Sequence, residues 1–292
     1  MTGILCLHKP QQMTSFAGCA LCRRLTGEKK AGHAGTLDPM ATGVLPVFLG
    51  RATRLIAWLP EEDKTYLASL RFGAVSDTLD VWGTVRPTGA PLPDRQQVLR
   101  ALPAFRGEIM QVPPMMSALH HEGRRLYDLA REGVQVERQP RPVTVFELEL
   151  TAFDPAAGTA SLRCRCSKGT YVRTLCDDLG RALGCGAVMT ALQRIRAAGV
   201  ELDRCLTPDA LRALAEEGRL AQAVLPADAL LTPYPAVTVS PAQAVRFANG
   251  GPLLRDRLPV PVAGRTRVYA PDGAFLGLGT TDETQLLPQV VL

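Results

Sequence analysis

Long apolar runs are missing from this sequence of 292 residues. No apolar segment approaches the roughly 20 residues that a membrane-spanning helix needs, so we expect no membrane association. The segment from Met1 to Cys6 has no basic region followed by an apolar core, which argues against a secretory signal. Internal repeats and low-complexity tracts are also missing, so a repeat architecture is not indicated. These absences favour a cytoplasmic globular protein.

Metal-binding spacings are scarce, although the chain contains eight cysteines. Cys19 and Cys22 form a CxxC pair, but no second pair or suitably spaced histidine lies nearby, and the surrounding pattern predicts an amphipathic helix. Cys164 and Cys166 alternate with arginines on a predicted strand, so we expect both thiols to pack inward. We predict no metal site and expect reduced thiols.

Charge is only mildly unbalanced, at +5, and 46% of the residues are hydrophobic. The apolar fraction suffices for a real core, and the length allows two domains. A mildly basic chain permits nucleic-acid binding without establishing it.

Hydrophobic periodicity predicts strands and helices without the regular alternation of parallel α/β folds. The clearest strand is Lys64–Phe72, in which alternate residues from Tyr66 to Phe72 face one side. Other predicted strands span residues 3–7, 143–153 and 159–166. Predicted helices span residues 14–25, 94–102, 170–183 and 241–249, and another helix begins at residue 207. A further, polar helix is predicted to contain Arg124, Arg125, Tyr127 and Arg131. We therefore predict an α+β fold with a central mixed, largely antiparallel sheet. Residues 232–235 read as a linker to a small β-rich tail with a hairpin turn at 271–273.

The most informative segment is residues 32–45, Gly-His-Ala-Gly-Thr-Leu-Asp-Pro-Met-Ala-Thr-Gly-Val-Leu. Its glycines tolerate positive φ, and Pro39 directs Asp38 away from helical conformation. The segment therefore predicts a shaped loop that presents Asp38 and His33, followed by a buried apolar run over 44–49. An isolated Asp-Pro pair usually marks a turn, and that interpretation is compatible with a chemical role for Asp38.

This segment resembles the signature of the TruB family, the bacterial tRNA pseudouridine-55 synthases. Four further segments carry the resemblance: Gly3-x-Leu5-x-x-x-Lys9-Pro10, Lys64-x-Tyr66 with Ser76 to Gly83, Ser167 to Arg173, and Ala191 to Arg196. The resemblance implies that Asp38 is the catalytic residue. It also implies that Lys9, Pro10, Gly35 and Pro39 support the loop that holds this aspartate.

The resemblance further implies which residues receive the substrate. Tyr66 would lie against the target base, and Leu192 would line the uracil pocket. Asp80 would either contact the base or close a turn before Gly83. His33 would stack, or bind a phosphate, where the target nucleotide leaves the stack. Arg173 would pair with Asp38 and keep it ionised by lowering its pKa.

The function implied by the resemblance is isomerisation of uridine to pseudouridine in the T-loop of tRNA, at position 55. No redox equivalent or external group is needed, so no cofactor is implied. The implied organisation is a catalytic domain at 1–231, with a thumb-like insert at about 103–142, and a PUA-like RNA-binding domain at 236–292. The implied partner is the T-arm of tRNA, bound by a monomer without a guide RNA.

Other functions remain open from the residues alone. A tRNA-binding chaperone without catalysis would need the basic and aromatic surfaces but not Asp38. A glycoside hydrolase commonly pairs two carboxylates across a sugar bond, whereas the motif supplies one. A guide-RNA-dependent relative is disfavoured because no basic extension is seen at either end. Three departures from the family pattern are Gln12, where glycine is usual, His8, where aspartate or asparagine is common, and His120, where lysine is common.

Overall fold

The computed structural model describes residues 1–60, 63–117 and 119–292, which form two compact units. The first unit comprises Met1–Pro39, Val44–Glu61 and Ala198–Leu292, and the second comprises Met40–Gly43 and Glu62–Ala197. Within the described residues, no helix combines the length and the apolar character that crossing a bilayer requires.

The first unit begins with a small α+β arrangement around an apolar core. Its elements are β1 (Gly3–Lys9), α1 (Ser15–Thr26), β2 (Ala31–His33), β3 (Thr42–Leu49, of which 44–49 belong to this unit) and a 3-10 helix (Gly50–Trp58). Later in the chain come another 3-10 turn (Leu202–Arg204), a helix at Pro208–Glu216 and a third 3-10 turn (Leu220–Ala223).

The strands of this part lie side by side because their residues are almost completely apolar. Strand β1 neighbours β3, and β2 pairs antiparallel with the other edge of β3, placing His33 opposite Val47. The core contains Leu5, Leu7, Cys19, Cys22, Leu45, Val47, Leu49, Leu211 and Leu220. Cys19 and Cys22 are therefore core residues of the amphipathic helix that the sequence predicts.

The second unit is built on an antiparallel sheet. Its strands are β4 (Lys64–Phe72), β5 (Ala74–Ser76), β6 (Val85–Pro87), β7 (Gly107–Gln111), β8 (His120–His121), β9 (Arg124–Arg125), β10 (Arg141–Asp154), β11 (Thr159–Cys166) and β12 (Ala187–Ala197). Its helices are α2 (Arg95–Ala101), a 3-10 turn (Leu102–Phe105), α3 (Leu126–Arg131) and α4 (Val172–Ala182).

The sheet of the second unit has the strand order β12-β4-β11-β10-β7, and all these neighbours are antiparallel. Residues 42 and 43 run parallel to β12, which makes the sheet mixed. Helix α4 packs on β12 and β4 through Val172, Leu175 and Leu179, all of which are buried. The predicted mixed, largely antiparallel sheet of an α+β fold is confirmed.

The strands predicted at 64–72 and 159–166 are confirmed in extent, and the strand predicted at 143–153 spans Arg141–Asp154. Strand β4 spans the predicted residues, with Tyr66 and Leu70 buried and Leu67 and Arg71 exposed. Strands β10 and β11 form the predicted antiparallel pair, and Cys164 and Cys166 are fully buried on β11.

The polar helix predicted around residues 124–131 is wrong in its first part. Arg124 and Arg125 form the short strand β9, which pairs with β8, and the helix α3 begins only at Leu126. The reason is the turn between these strands, where Glu122 and Gly123 both adopt positive φ, of 49° and 80°. Two consecutive left-handed residues close a tight hairpin and cannot continue a helix.

The C-terminal part of the first unit has a separate sheet and core. Before it, the chain forms the short strand β13 (Val200–Glu201) and the helix Pro208–Glu216, which is numbered α5. The C-terminal part itself contains one helix, α6 (Pro241–Ala248), and a 3-10 turn at Arg255–Arg257. Its strands are β14 (Ala236–Thr238), β15 (Leu253–Leu254), β16 (Arg265–Tyr269), β17 (Phe275–Thr281) and β18 (Gln285–Val291). The sheet order is β14-β16-β17-β18-β15, and Phe247 and Val268 lie in its core. The predicted hairpin turn at 271–273 connects β16 and β17.

Candidate active site

Asp38 lies in a loop whose backbone is fixed on both sides of the carboxylate. The N–H of Leu37 donates to Ser15 Oγ at 2.8 Å, and Ser15 Oγ donates back to the carbonyl of Leu37 at 3.0 Å. On the other side, the carbonyl of Pro39 accepts from the N–H of Gln12 at 2.8 Å. The half-buried Asp38 is thus held between two anchored neighbours, which limits the positions that its carboxylate can take.

The loop's anchors depend on how α1 begins. Thr14 caps this helix by accepting from the N–H of Ala17 at 3.0 Å, as the sequence predicts. Capping fixes Ser15 in the first turn, where its buried side chain meets Leu37. At the start of the loop, Gly35 has a φ of 72°, a conformation that glycine adopts at little cost. Pro39 is exposed at its end.

Lys9 shapes the segment that leads from β1 into α1. It is fully buried, and its Nζ donates to the carbonyls of Pro10 at 3.0 Å and Met13 at 2.7 Å. A buried ammonium needs such acceptors, because an unsatisfied charge in the interior is strongly destabilising. By holding the carbonyls of residues 10 and 13, Lys9 fixes the turn that presents the Gln12 amide to Pro39. These contacts fit the predicted supporting role of Lys9 and Pro10.

The sequence departure at Gln12 falls on a strained residue. Gln12 has a φ of 69°, in the left-handed region that favours glycine. We expect Gln12→Gly to raise the free energy of unfolding by about 0.5–1 kcal/mol, because the relief of backbone strain exceeds the entropy that glycine adds to the unfolded chain. Urea denaturation measures the change. As a control, Gln11→Gly replaces a neighbour outside the left-handed region and should be neutral or destabilising; equal effects of the two variants would contradict the prediction.

Tyr66 lies in the middle of the second unit's sheet. It pairs across the sheet with Cys164 on one side and with Arg194 on the other, and it is 8% exposed. Arg194 is fully buried, and it lies opposite Tyr66 in the register of β12 and β4. Leu192 is buried on the same strand as Arg194, opposite Ala68. The sheet therefore brings together the predicted pocket residues Tyr66 and Leu192.

Burial sets the protonation state of Tyr66. It raises the pKa of the phenol from its ordinary value of 10.0 to about 12, against a smaller lowering by Arg194. The side chain therefore enters the site as a neutral hydroxyl and an aromatic face, not as a phenolate, at neutral pH.

A titration tests this state directly. The unfolded chain loses the Tyr66 proton near its ordinary pKa, whereas the folded chain keeps it to about pH 12. The stability that depends on neutral Tyr66 is therefore present below pH 10 and lost as the pH rises through about 12. In a spectrophotometric titration, the phenolate signal of wild type minus that of Tyr66→Phe should appear only near pH 12. A difference that develops around pH 10 would show that Tyr66 is solvated.

Asp80 and Arg173 form a buried ion pair. Arg173 Nη1 lies 3.7 Å from Asp80 Oδ2, and each side chain is 6% exposed. Asp80 Oδ1 accepts from Thr78 Oγ1 at 2.8 Å and from the N–H of Trp82 at 2.9 Å, while Arg173 Nη2 donates to the carbonyl of Met116 at 2.8 Å. Both roles considered for Asp80 are compatible with this arrangement, since it closes the turn and also orients a cation.

Gly43 has a structural role in the motif that the sequence alone does not identify. It runs beside β12 opposite Arg194, with a φ of 109°. A Cβ at this position would lie 2.1 Å from the carbonyl oxygen of Arg194, so only glycine fits. The motif therefore needs glycine at this position because its backbone contacts β12, the strand that also carries Leu192.

Arg163 and Arg165, which alternate with Cys164 and Cys166 on β11, are paired with carboxylates and do not form a free basic surface. Arg163 pairs with Glu147 at 3.0 Å, and Arg165 pairs with Glu147 at 2.9 Å and with Asp63 at 2.6 Å. Their charge is largely compensated by Glu147 on the neighbouring strand β10 and by Asp63, which directly precedes β4. A one-dimensional pattern cannot reveal these pairs.

The predicted site residues divide between the two units. Asp38, His33, Lys9, Pro10, Gly35 and Pro39 belong to the first, and Tyr66, Asp80, Arg173 and Leu192 belong to the second. His33 ends β2 and is half-buried. The pairing of Arg173 with Asp38 stays a prediction. Across residues 1–60, 63–117 and 119–292, no group of three His, Cys, Asp or Glu side chains could hold a metal ion.

Comparisons with known proteins match nearly the whole length of the chain. Family models match residues 23–172 (TruB family pseudouridylate synthase, N-terminal domain), 173–232 (tRNA pseudouridylate synthase B C-terminal domain) and 235–292 (Pseudouridine synthase II TruB, C-terminal). The tRNA pseudouridine synthase B of Dechloromonas aromatica (strain RCB) is 45% identical over 285 residues, covering 98% of this chain and 93% of that protein. The protein of the same name from Pasteurella multocida (strain Pm70) is 41% identical over 288 residues, covering 98% and 93%.

A solved structure shares the fold. A chain in the crystal structure of a Cbf5-Nop10-Gar1 complex superposes with a TM-score of 0.75, covering 99% of this chain and 84% of that one. Its sequence identity is 24%, so the likeness concerns the fold alone.

Proposed function

Because this chain belongs to the TruB family of pseudouridylate synthases, we propose that it converts the uridine at position 55, in the T-loop of tRNA, to pseudouridine. It is a tRNA pseudouridine synthase, an isomerase. The observation that carries the choice of target is the near-complete alignment with curated tRNA pseudouridine synthases B.

The reaction needs the target base to leave its loop. A uridine stacked inside a folded loop cannot be reached in place, and flipping it out costs roughly a few kcal/mol of lost stacking. Burial of the uracil against Tyr66 and Leu192 would return part of this free energy. The neutral hydroxyl of Tyr66 can also hydrogen-bond a base edge. We assign His33 to the nucleotide's exit from the stack, where an imidazole can stack or bind a phosphate.

Asp38 is the residue to which we assign the chemistry. The bond between C1′ and N1 breaks, the uracil turns, a bond forms between C1′ and C5, and C5 releases its proton while N1 is protonated. An ionised carboxylate can attack C6 of the base, attack C1′ of the sugar, or take the C2′ proton to form a glycal. All three routes need Asp38 deprotonated and fixed, and the anchors at Leu37 and Pro39 support the second requirement.

Arg173 is proposed to act as the cation that keeps Asp38 ionised. A guanidinium is permanently charged and binds carboxylates in a fork. Its bond to the Met116 carbonyl and its pairing with Asp80 fix its direction before substrate arrives. Asp80 is a positioning residue in this scheme because it acts through Arg173.

The remaining assignments concern organisation and partners. We propose a catalytic domain over 1–231, with a thumb-like insert at about 103–142, and a PUA-like RNA-binding domain over 236–292. The separate core and five-stranded sheet of residues 236–291 support the second boundary. We further propose that the enzyme works as a cytoplasmic monomer on the T-arm, without a guide RNA.

Release of tritium tests the proposed function. A tRNA transcript carrying [5-³H]uridine loses its label only when the new bond forms at C5. We expect release by the wild-type chain, and none from a transcript in which the uridine at position 55 is replaced by cytidine. Release from both transcripts would place the target elsewhere, and release from neither would overturn the proposal. The alternative of a tRNA-binding chaperone without catalysis is not favoured, because the curated relatives are synthases by name.

A further inference from the structure

A groove of about 450 Å³ on the first unit is lined by four cations and one carboxylate. It lies where the turn after α1, the start of β2 and the first turn of the 3-10 helix after β3 meet. Its cations, Lys29, Lys30, Arg51 and Arg54, are all exposed, and its carboxylate belongs to Glu28. No aromatic side chain lies among the described lining residues, so the groove offers charge and not a stacking surface.

The backbone brings the two lysines and the 3-10 helix together. Helix α1 is capped by Gly27, which adopts the left-handed conformation with a φ of 68° and turns the chain towards β2. The N–H of Gly50 then donates to the carbonyl of Lys30 at 2.9 Å, which joins the start of the 3-10 helix to the residue before β2. Both lysines are thereby placed beside the first turn of the 3-10 helix.

Arg51 and Arg54 share one face of the 3-10 helix. Such a helix has three residues per turn, so side chains three positions apart lie above one another. The adjoining face carries Ala52 and Leu55, which are fully buried. Arg54 Nη1 donates to the carbonyl of Val291 at 2.8 Å, a bond to a neutral group that directs the guanidinium without cancelling its charge.

The carboxylate of the groove does not neutralise these cations. Glu28 pairs with the amino group of Met1. Within residues 1–60, 63–117 and 119–292, Lys29, Lys30 and Arg51 form no ion pair with a carboxylate. The groove therefore keeps a net positive charge.

Charge is also segregated along the chain of the first unit. Residues 1–39 and 44–60 contain seven lysines and arginines against two aspartates and glutamates, whereas residues 198–231 contain three against six. A surface that serves solubility alone intersperses the two signs. Basic residues gathered in one place are the electrostatic footprint of a polyanionic partner.

Strand β2 connects the groove to the proposed exit of the target nucleotide. Lys30 directly precedes β2, and His33 is the last residue of this strand. At about 3.3 Å per residue, the two positions are roughly 10 Å apart. An RNA backbone that extends along β2 from the nucleotide at His33 therefore reaches the groove.

We propose that this groove binds backbone phosphates of the T-arm a few nucleotides from the target uridine, an inference that rests on the proposed function. Phosphodiesters match its cations, because lysine binds them as a point charge and arginine binds them through two parallel hydrogen bonds. Since it contacts the backbone and not the bases, the groove holds the RNA independently of sequence and contributes affinity that depends on salt.

Binding measurements in an Asp38→Asn background test the groove without turnover. The double variant Lys30→Gln/Arg51→Gln should bind a T-arm stem-loop RNA about 100-fold more weakly, as expected for two charge-assisted hydrogen bonds. The slope of log affinity against log salt should fall by roughly 1.4–1.8. Lys30→Arg/Arg51→Lys should retain both values. The control Arg95→Gln/Arg100→Gln removes two exposed cations from α2 and should alter neither, and equal losses in the two neutral double variants would overturn the proposal.

Changes in the RNA locate the phosphates. The stem-loop and the full-length tRNA should lose the same affinity for Lys30→Gln/Arg51→Gln, and a loss confined to the full-length tRNA would place the contact outside the T-arm and contradict the proposal. Single phosphates near the target uridine are then replaced by uncharged methylphosphonates. At the contacted phosphates, the replacement should weaken binding to the protein with Lys30 and Arg51 but not to the double variant. The same loss for both proteins at every phosphate would reject the contact.

Kinetics and stability separate this contact from chemistry and from folding. With Asp38 present, Lys30→Gln/Arg51→Gln should raise the KM of tritium release and leave kcat unchanged. Its midpoint in urea should equal that of the wild-type chain because both side chains are exposed. A lower midpoint with unchanged RNA affinity would assign the two residues to the fold and overturn the inference. Absence of tritium release by the wild-type chain would reject the proposed function, whereas release together with unchanged RNA binding by the double variant would reject this inference alone.

Discussion

Replacement of Asp38 by asparagine is expected to lower the rate of tritium release by at least about 10⁴-fold, the order of loss seen when a reacting side chain is removed. Asparagine has the same shape but no negative charge. It can neither attack C6 or C1′ nor accept the C2′ proton, so the loss is expected for every route open to the carboxylate. The anchors at Leu37 and Pro39 are backbone groups, and the loop should therefore keep its path.

Binding distinguishes lost chemistry from lost recognition. Asp38→Asn should retain its affinity for unmodified tRNA, measured by filter binding, and Asp209→Asn provides a matched control at an exposed carboxylate of the same unit. Substantial tritium release by Asp38→Asn would remove Asp38 from the mechanism. If Asp38→Asn is inactive, a target uridine deuterated at C2′ would separate the routes in the wild-type chain, because only glycal formation breaks the bond between C2′ and its hydrogen.

Replacement of Asp80 by asparagine is expected to lower activity by about 10²–10³-fold and the free energy of unfolding by about 3 kcal/mol. The side-chain amide would present a donor or a neutral oxygen to Arg173, which would lose the carboxylate charge at 3.7 Å. One of the contacts that orient the Arg173 guanidinium would thereby be weakened. Activity measured well below the melting temperature, together with urea denaturation, separates the two effects.

A second aspartate offers the matched control for Asp80. Asp177 is also buried in the second unit, but its partner Arg181, at 2.7 Å, is 70% exposed. Burial raises the pKa of the Asp177 carboxyl, so the neutral asparagine should be tolerated there. We expect Asp177→Asn to keep its activity and to lose less stability than Asp80→Asn. Equal losses of activity and stability in Asp177→Asn and Asp80→Asn would show that the ion pair between Asp80 and Arg173 has no specific role in orienting Arg173.

The regular parts of the fold were accessible from the sequence because short-range patterns determine them. Alternation fixes the extent and the buried face of β4, and the side chains of Thr14 and Asp94 mark where α1 and α2 begin. The hairpin of β8 and β9 was missed because Arg124 and Arg125 have helix-favouring side chains, whereas the backbone of Glu122 and Gly123 decides the structure there.

The candidate site was only partly accessible for a different reason. The motif identifies Asp38 and its loop, but the bonds of Ser15 to Leu37 join residues 22 positions apart. The pairing of Asp80 with Arg173 likewise joins residues that are far apart in the chain. No local pattern shows which arginines are compensated by Glu147 and Asp63, and charge counted along the chain therefore overstates the basic surface.

The close approach of Gly43 to Arg194 affects how saturation mutagenesis of this chain should be interpreted. Every substitution at Gly43 places a Cβ against the carbonyl of Arg194, so the whole set of variants should score as loss of function, as a reacting residue would. The two cases differ in the amount of folded protein, which should fall for Gly43 variants and remain normal for Asp38→Asn. A ranking of variants by fitness alone, without a measurement of the amount of folded protein, would therefore wrongly count Gly43 among the catalytic residues.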